Sequence, residues 1–271
     1  MSLDLLKLIH STCRDSLEIT AEPSKNLEPW NSKFGGMPYI PKDMPWPHTN
    51  DGRPLRFLAQ INFAELCRID PFPEKGLLQF YIIDNGIMNG EFDIEKALKD
   101  TKNEYVFGAD PDNPTYQNLF RVIFFPDVDE TRHFQTLKEA PISDHFPIRE
   151  QYRLYFSRNK RPLSCSDYKY HKLINNLFDN EIAKEEEFDL IYHHLFALDA
   201  FNHRIGGYPT FVQYDPRPEY DCHHDKNILL LQIASKGSVE WIGSGVANFL
   251  ISEEKLKNLD FSEVMYNIDF S

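Results

Sequence analysis

Short apolar runs, punctuated by glycine and proline, set the rhythm of this chain. Residues 55–62 (LRFLAQIN), 77–83, 119–126 (LFRVIFFP), 151–157, 228–234 (ILLLQIA), 245–251 and 264–269 each read as a strand. They are short, rich in β-branched and aromatic side chains, and bounded by turn residues. Leu17 and Ile19 alternate with polar neighbours, which predicts a further short strand stopping at Pro23. Elsewhere the period becomes helical. Leu5, Leu6, Ile9 and Cys13 share one face over residues 3–13. Tyr170, Leu173, Ile174 and Leu177 share another, and Leu190, Ile191, His194, Leu195 and Leu198 a third. Ser252, just before Glu253 and Glu254, suits the cap of a helix over residues 253–259, where the dipole favours anions. Residues 63–69 suit one or two helical turns, and residues 84–118 read as loop with room for a helix at 94–99. Strands outnumber helices, so the predicted fold class is α+β, mainly antiparallel sheet with a few flanking helices.

The pattern occurs twice. SKFGGMPYIPKDMPWP, residues 32–47, is echoed by HRIGGYPTFVQYDPRP, residues 203–218. Gly35 corresponds to Gly206, Gln60 to Gln232 and Gly76 to Gly245, in one order and at a nearly constant lag of about 170 positions. This predicts internally duplicated β-rich halves within a single domain over residues 1–271. The pseudo-repeats are placed at about residues 30–160 and 200–271, joined by a helical segment at 167–201. Gly-Gly-x-Pro reads as a tight corner, since glycine accepts positive φ and proline fixes the exit. It lacks the spacing of a phosphate-binding loop.

Charge narrows the partners. Acidic residues outnumber basic ones by 42 to 29, for a formal charge of −13. That disfavours nucleic acid and anionic membrane, whose binding rests on Lys and Arg. It suits either plain solubility or electrostatic steering of a basic protein partner. Cys13, Cys67, Cys165 and Cys222 form no C-x-x-C pair, and no leader segment is apparent, so a reducing cytoplasm is expected.

Candidate chemistry concentrates on the two corners. Gln60 and Gln232 each interrupt an apolar strand, where an unpartnered amide costs roughly 2–7 kcal/mol. Each is therefore expected to bond to the Gly-Gly loops or to its counterpart, or else the two line a pocket between the halves. Tyr39, Trp46, Tyr208, Gln213, Asp215 and Arg217 sit on or just after the corners and are the groups best suited to line a ligand or partner groove. Asp215 and Arg217 also suit a local ion pair. Asp221-Cys222-His223-His224-Asp225 has metal-ligating side chains but poor spacing for one ion, so no metal and no cofactor is expected. Gly243-Ser244-Gly245 lacks the flanking glycines of a nucleophile elbow. No catalytic constellation emerges, and whether the chain is an enzyme stays open.

Taken together, SKFGGMPYIPK, PLRFLAQINFAEL, FPEKGLLQFYI, FRVIFFPDV, GGYPTFVQYDPR, ILLLQIAS, SGVANFLI and VMYNIDF resemble the YwqG-like family, a bacterial family of unknown function. The resemblance implies a duplicated, β-rich α+β fold and no established substrate, cofactor or catalytic residue. Some members look like parts of toxin–immunity systems. The chain departs from the family at Ala234 and at Trp241-Ile242-Gly243, where relatives commonly carry a carboxylate. The leading expectation is a protein-binding module, an acidic inhibitor of a basic partner. The alternatives are a small-ligand binder or enzyme with a pocket between the halves, and a scaffold in a larger assembly.

Overall fold

The computed structural model describes residues 3–84, 106–135, 142–143, 146–179, 188–198, 201–219, 223–241 and 243–270. In chain order the strands are β1 (Arg14–Pro23), β2 (Lys33–Phe34), β3 (Arg56–Asn62), β4 (Leu77–Ile82), β5 (Phe120–Phe125), β6 (Tyr152–Arg161), β7 (Arg204–Gly206), β8 (Ile228–Ala234), β9 (Val246–Ile251) and β10 (Met265–Asp269). The helices are α1 (Leu3–Ser11), α2 (Lys169–Asp179), α3 (Phe188–Leu198) and α4 (Glu253–Lys257). The helix expected at 94–99 and most of the acidic segment before α3 lie outside the described residues.

All ten strands form one antiparallel sheet in the order β10-β9-β8-β7-β1-β6-β2-β3-β4-β5. The order is symmetric about the central β1–β6 pair, whose register runs from Arg14↔Arg161 to Pro23↔Tyr152. Outward on either side comes a very short strand, β2 or β7, then a bulged strand, β3 or β8, then β4 or β9, then β5 or β10. The bulges fall at matching places, between Phe57 and Ala59 and between Leu229 and Leu231. Gly35 and Gly36 have φ of 60° and 69°, and Gly206 and Gly207 both have φ of 70°. The duplicated α+β architecture is thus visible in pairing, in bulges and in backbone conformation. β1, at the start of the chain, completes the second half as β6 completes the first.

Burial explains why the strands read as continuous apolar runs. Every residue of β4 and β9 is buried, as are all but the first of β3 and β8. One face packs into the main core, which includes Phe34, Phe80, Phe120, Trp241 and Phe249. The other is covered by small clusters under the corner loops: Ile40, Phe57 and Tyr81 on one side, Phe211, Leu229 and Leu250 on the other. The sheet curls until its outer strands meet through side chains. Phe120 lies 5.1 Å from Tyr266 and Phe80 4.7 Å from Phe249, ring centre to ring centre. Gln117 donates to the Phe261 carbonyl across the same seam. The result is a near-barrel. α1, α2 and α3 share a separate cluster of Ile9, Tyr170, Ile174, Leu177, Ile191 and Leu195. Among the described residues no helix is long and apolar enough to cross a membrane.

Several boundaries differ from expectation for local reasons. β1 and β6 extend beyond the apolar positions because each supplies the other's ladder along its full length. Only Phe63–Glu65 of the expected turns at 63–69 is helical, a 3-10 turn capped by the Asn62 side chain. α4 stops at Lys257, just before Leu259, which takes a φ of 54°.

Gly35→Ala is expected to lower stability by more than about 2 kcal/mol, because a Cβ there meets the Glu150 carbonyl oxygen at 2.3 Å on a left-handed backbone. At Gly52 the added Cβ meets nothing within 4 Å. Gly52→Ala is expected to cost only about 1 kcal/mol of backbone strain. Urea unfolding of both variants measures the difference.

Candidate functional site

Each Gly-Gly-x-Pro corner is clamped by two buried side-chain amides. In the first half, the Tyr39 N–H donates to Gln60 Oε1 at 2.9 Å, and the Tyr39 carbonyl accepts from Gln79 Nε2 at 2.8 Å. Gln79 Nε2 also donates to Gln60 Oε1, and Gln60 Nε2 donates to the carbonyls of Pro29 and Asn31. In the second half, the Thr210 N–H donates to Gln232 Oε1 at 2.8 Å, and the Thr210 carbonyl accepts from Asn248 Nδ2 at 2.9 Å. Gln232 Nε2 donates to the Asn202 carbonyl. Tyr39 and Thr210 each follow the proline of their corner, so the two clamps are the same device. The match continues one strand in, where the Asn62 N–H donates to Ser32 Oγ and the Ala234 N–H to His203 Nδ1.

The structure distributes the sequence candidates over separate places. Gln60 and Gln232 are fully buried and bonded to their own loops, not to each other. Tyr39 is buried between Phe125 and Phe134, and its hydroxyl accepts from the Asp129 N–H. Trp46 is half-buried, packs edge-on to Tyr81 and donates to the Leu55 carbonyl. Tyr208 is buried and donates to the Thr12 carbonyl at 2.7 Å. Gln213 is exposed; its N–H donates to Asp269 Oδ2 and its amide to the Phe270 carbonyl. Arg217 and Asp215 form a buried group with Asp167. Arg217 Nη2 lies 2.5 Å from Asp215 Oδ2 and 2.7 Å from Asp167 Oδ2, and the guanidinium stacks over Tyr168. Breaking such a group strands a buried charge. Asp221 and Cys222 lie outside the described residues, and among those described no group of three His, Cys, Asp or Glu gathers around a point.

One cleft of about 790 Å³ opens beside the second corner. Its wall combines Gly206 and Gly207 with Arg14 at the start of β1, Lys169 at the start of α2, Asn227 before β8, and Phe72 from the front half of the chain. This volume is within the range of small-molecule sites. Arg14 lies 4.4 Å over the Tyr208 ring, so that candidate stands behind the cleft. No spacing in the sequence connects positions 14, 169 and 227. The amides Gln79 and Asn248 did carry a signal, being lone polar residues in apolar runs as Gln60 and Gln232 are.

Residues 32–269 match the family described as a domain of unknown function, DUF1963. The chain belongs to that family. No curated protein matches it. The DUF1963 match takes in both corners, both clamps and every strand except β1, and it leaves out α1. The cleft is therefore completed by Arg14, a residue beyond the matched span of this DUF1963 protein.

Two buried titratable groups flank the second clamp and pull in opposite directions. Burial pushes the His203 imidazole down from its ordinary 6.5 to about 4. Between those values the unfolded chain binds a proton that the folded chain refuses, so the stability tied to neutral His203 is full above pH 6.5 and is lost as pH falls. Burial pushes Asp269 up from 3.8 to about 6, against the pull of the Gln213 and Val212 N–H groups. Here the folded chain keeps a proton that the unfolded chain has released, so its contribution is full below 3.8 and is lost as pH rises through 6.

In urea unfolding from pH 4 to pH 7, His203→Gln is expected to leave a stability that falls more steeply with rising pH than the wild type's. Asp269→Asn is expected to do the reverse. Identical slopes in all three proteins rule out this assignment. Gln60→Leu strands the Tyr39 N–H and two carbonyls, and is expected to cost about 2–5 kcal/mol. Gln213→Ala, on an exposed side chain, is expected to cost about 0.5 kcal/mol in the same assay.

Proposed function

We propose that this chain is a protein-binding module of the YwqG-like kind, bacterial and cytoplasmic, that recognises a basic partner in the manner of an immunity protein. The supporting observation is the outer face of α3. Ile191 and Leu195 enter the cluster shared with α1 and α2, while Leu190, Tyr192 and Phe196 are turned to solvent, Phe196 at 52% exposure. The Tyr192 and Phe196 rings stack with centroids 5.8 Å apart. Aromatic anchors of this sort carry much of the energy in protein interfaces. Glu185, Glu186 and Glu187 precede the helix in sequence, and Asp189 lies in its first turn. An apolar patch on an acidic chain suits a partner with an apolar patch rimmed by Lys and Arg, and the charge of −13 adds long-range attraction. The same charge weighs against nucleic acid and anionic membrane.

A second reading, a small-ligand binder, is favoured by the cleft between Phe72 of the front half and Gly206 of the back half.

The first reading is tested by calorimetry at low salt against basic proteins encoded beside the gene, with rescue from their toxicity as a second readout. Binding that weakens as salt rises is expected. The double variant Tyr192→Ser, Phe196→Ser is expected to lose at least about tenfold in affinity with unchanged circular dichroism. Neither binding nor rescue for any such protein sinks the reading.

A further inference from the structure

Two half-buried cations, Arg14 and Lys169, face the cleft beside Gly206, and neither has a carboxylate partner among the described residues. Arg14 Nη1 donates to the Asn227 carbonyl at 3.2 Å. Lys169 Nζ donates to Oδ1 of the same Asn227 at 2.5 Å. Ring faces also flank them: Arg14 lies over Tyr208 at 4.4 Å and Lys169 over Tyr168 at 5.3 Å. The carboxylates nearby are engaged elsewhere. Asp167 and Asp215 hold Arg217. In the cleft wall, Asp15 holds Arg158 at 2.6 Å, Asp70 lies 3.6 Å from Arg68, and Glu253 holds Lys257 at 2.5 Å. The acids of the wall thus come with their own cations; Asp167 and Asp215 act on Lys169, and Glu253 on Arg14, through charge without a direct ion pair.

We propose that this cleft binds the anionic group of a small ligand, a carboxylate or a phosphate. Arg14 and Lys169 are its cationic contacts, and Phe72 and Ile228 lie against its apolar part. A guanidinium offers a planar fork that matches both oxyanions, and an ammonium adds a compact charge. Partial burial strengthens both contacts relative to bulk water. Burial is the largest cause pushing the Lys169 ammonium below its ordinary range, with Arg14 and Arg217 adding to it and Asp167 and Asp215 opposing it, and an anion in the cleft adds to the opposing side. This site is separate from the α3 face, so either proposal can fail alone.

The experiment titrates inorganic phosphate and benzoate, in separate arms, into the full chain at constant ionic strength and reads binding by calorimetry and thermal midpoint. Saturable binding is expected below about 50 mM in at least one arm, and the tighter arm names the oxyanion. Arg14→Gln and Lys169→Gln are each expected to weaken it at least about tenfold, while Arg132→Gln, at an exposed ion pair with Asp43 by the first corner, leaves it within twofold. If Arg14→Gln does not fold, Asn227→Asp serves instead. It sets a fixed carboxylate against Lys169 and is expected to weaken binding by a similar factor. No saturable binding in either arm overturns the proposal. So does binding that Lys169→Gln and Asn227→Asp both leave unchanged.

Discussion

The structure depends on the need of buried amides for partners. Each corner loop must turn sharply while covering an apolar sheet, which leaves backbone N–H and C=O groups facing a dry interior. Gln60 with Gln79, and Gln232 with Asn248, meet that need from the strands beneath. One amide oxygen takes the N–H of the residue after the proline, and one amide nitrogen serves its carbonyl. In a low-dielectric setting a satisfied network of this kind is rigid, and a half-satisfied one is costly. The clamps therefore fix the loops to the sheet, and the small apolar clusters of Ile40 and Phe211 fill the space between.

Symmetry follows from repeating this device, and asymmetry follows from what covers it. At the first corner, Gly35 and Gly36 press against the Glu150 carbonyl and the Gln151 side chain. At the second, Gly206 and Gly207 lie against β1, and the cleft opens beside them. The two halves also differ in how their polar partners are supplied. Lys33 in the first half bonds to carbonyls, and burial pushes it down to about 8. Arg204 at the matching place donates to Gln232 and Thr210.

Much of this was legible in the chain. Apolar runs marked the strands correctly because both faces of β3, β4, β8 and β9 are covered, which removes the alternation of a one-sided sheet. Gln60 and Gln232 were visible as lone amides in those runs, and the physical cost of burying them pointed to the loops they hold. Other features had no local signal. β1 bears no resemblance in sequence to β6, and its role as the matching strand comes from sheet order alone. The cleft joins side chains from the start, middle and end of the chain, so pattern and spacing could not assemble it. The grouping of Tyr39, Trp46 and Gln213 into one groove assumed that residues near a repeated motif share a surface. The corners instead lie on opposite wings of the sheet.

The position of β1 bears on how the protein can be handled. The family match starts at residue 32, yet β1 is the keystone between β6 and β7. A fragment trimmed to the family boundary would split the sheet down its middle and bare two unsatisfied edges, each a template for self-association. The matched span thus falls short of the unit that closes this sheet.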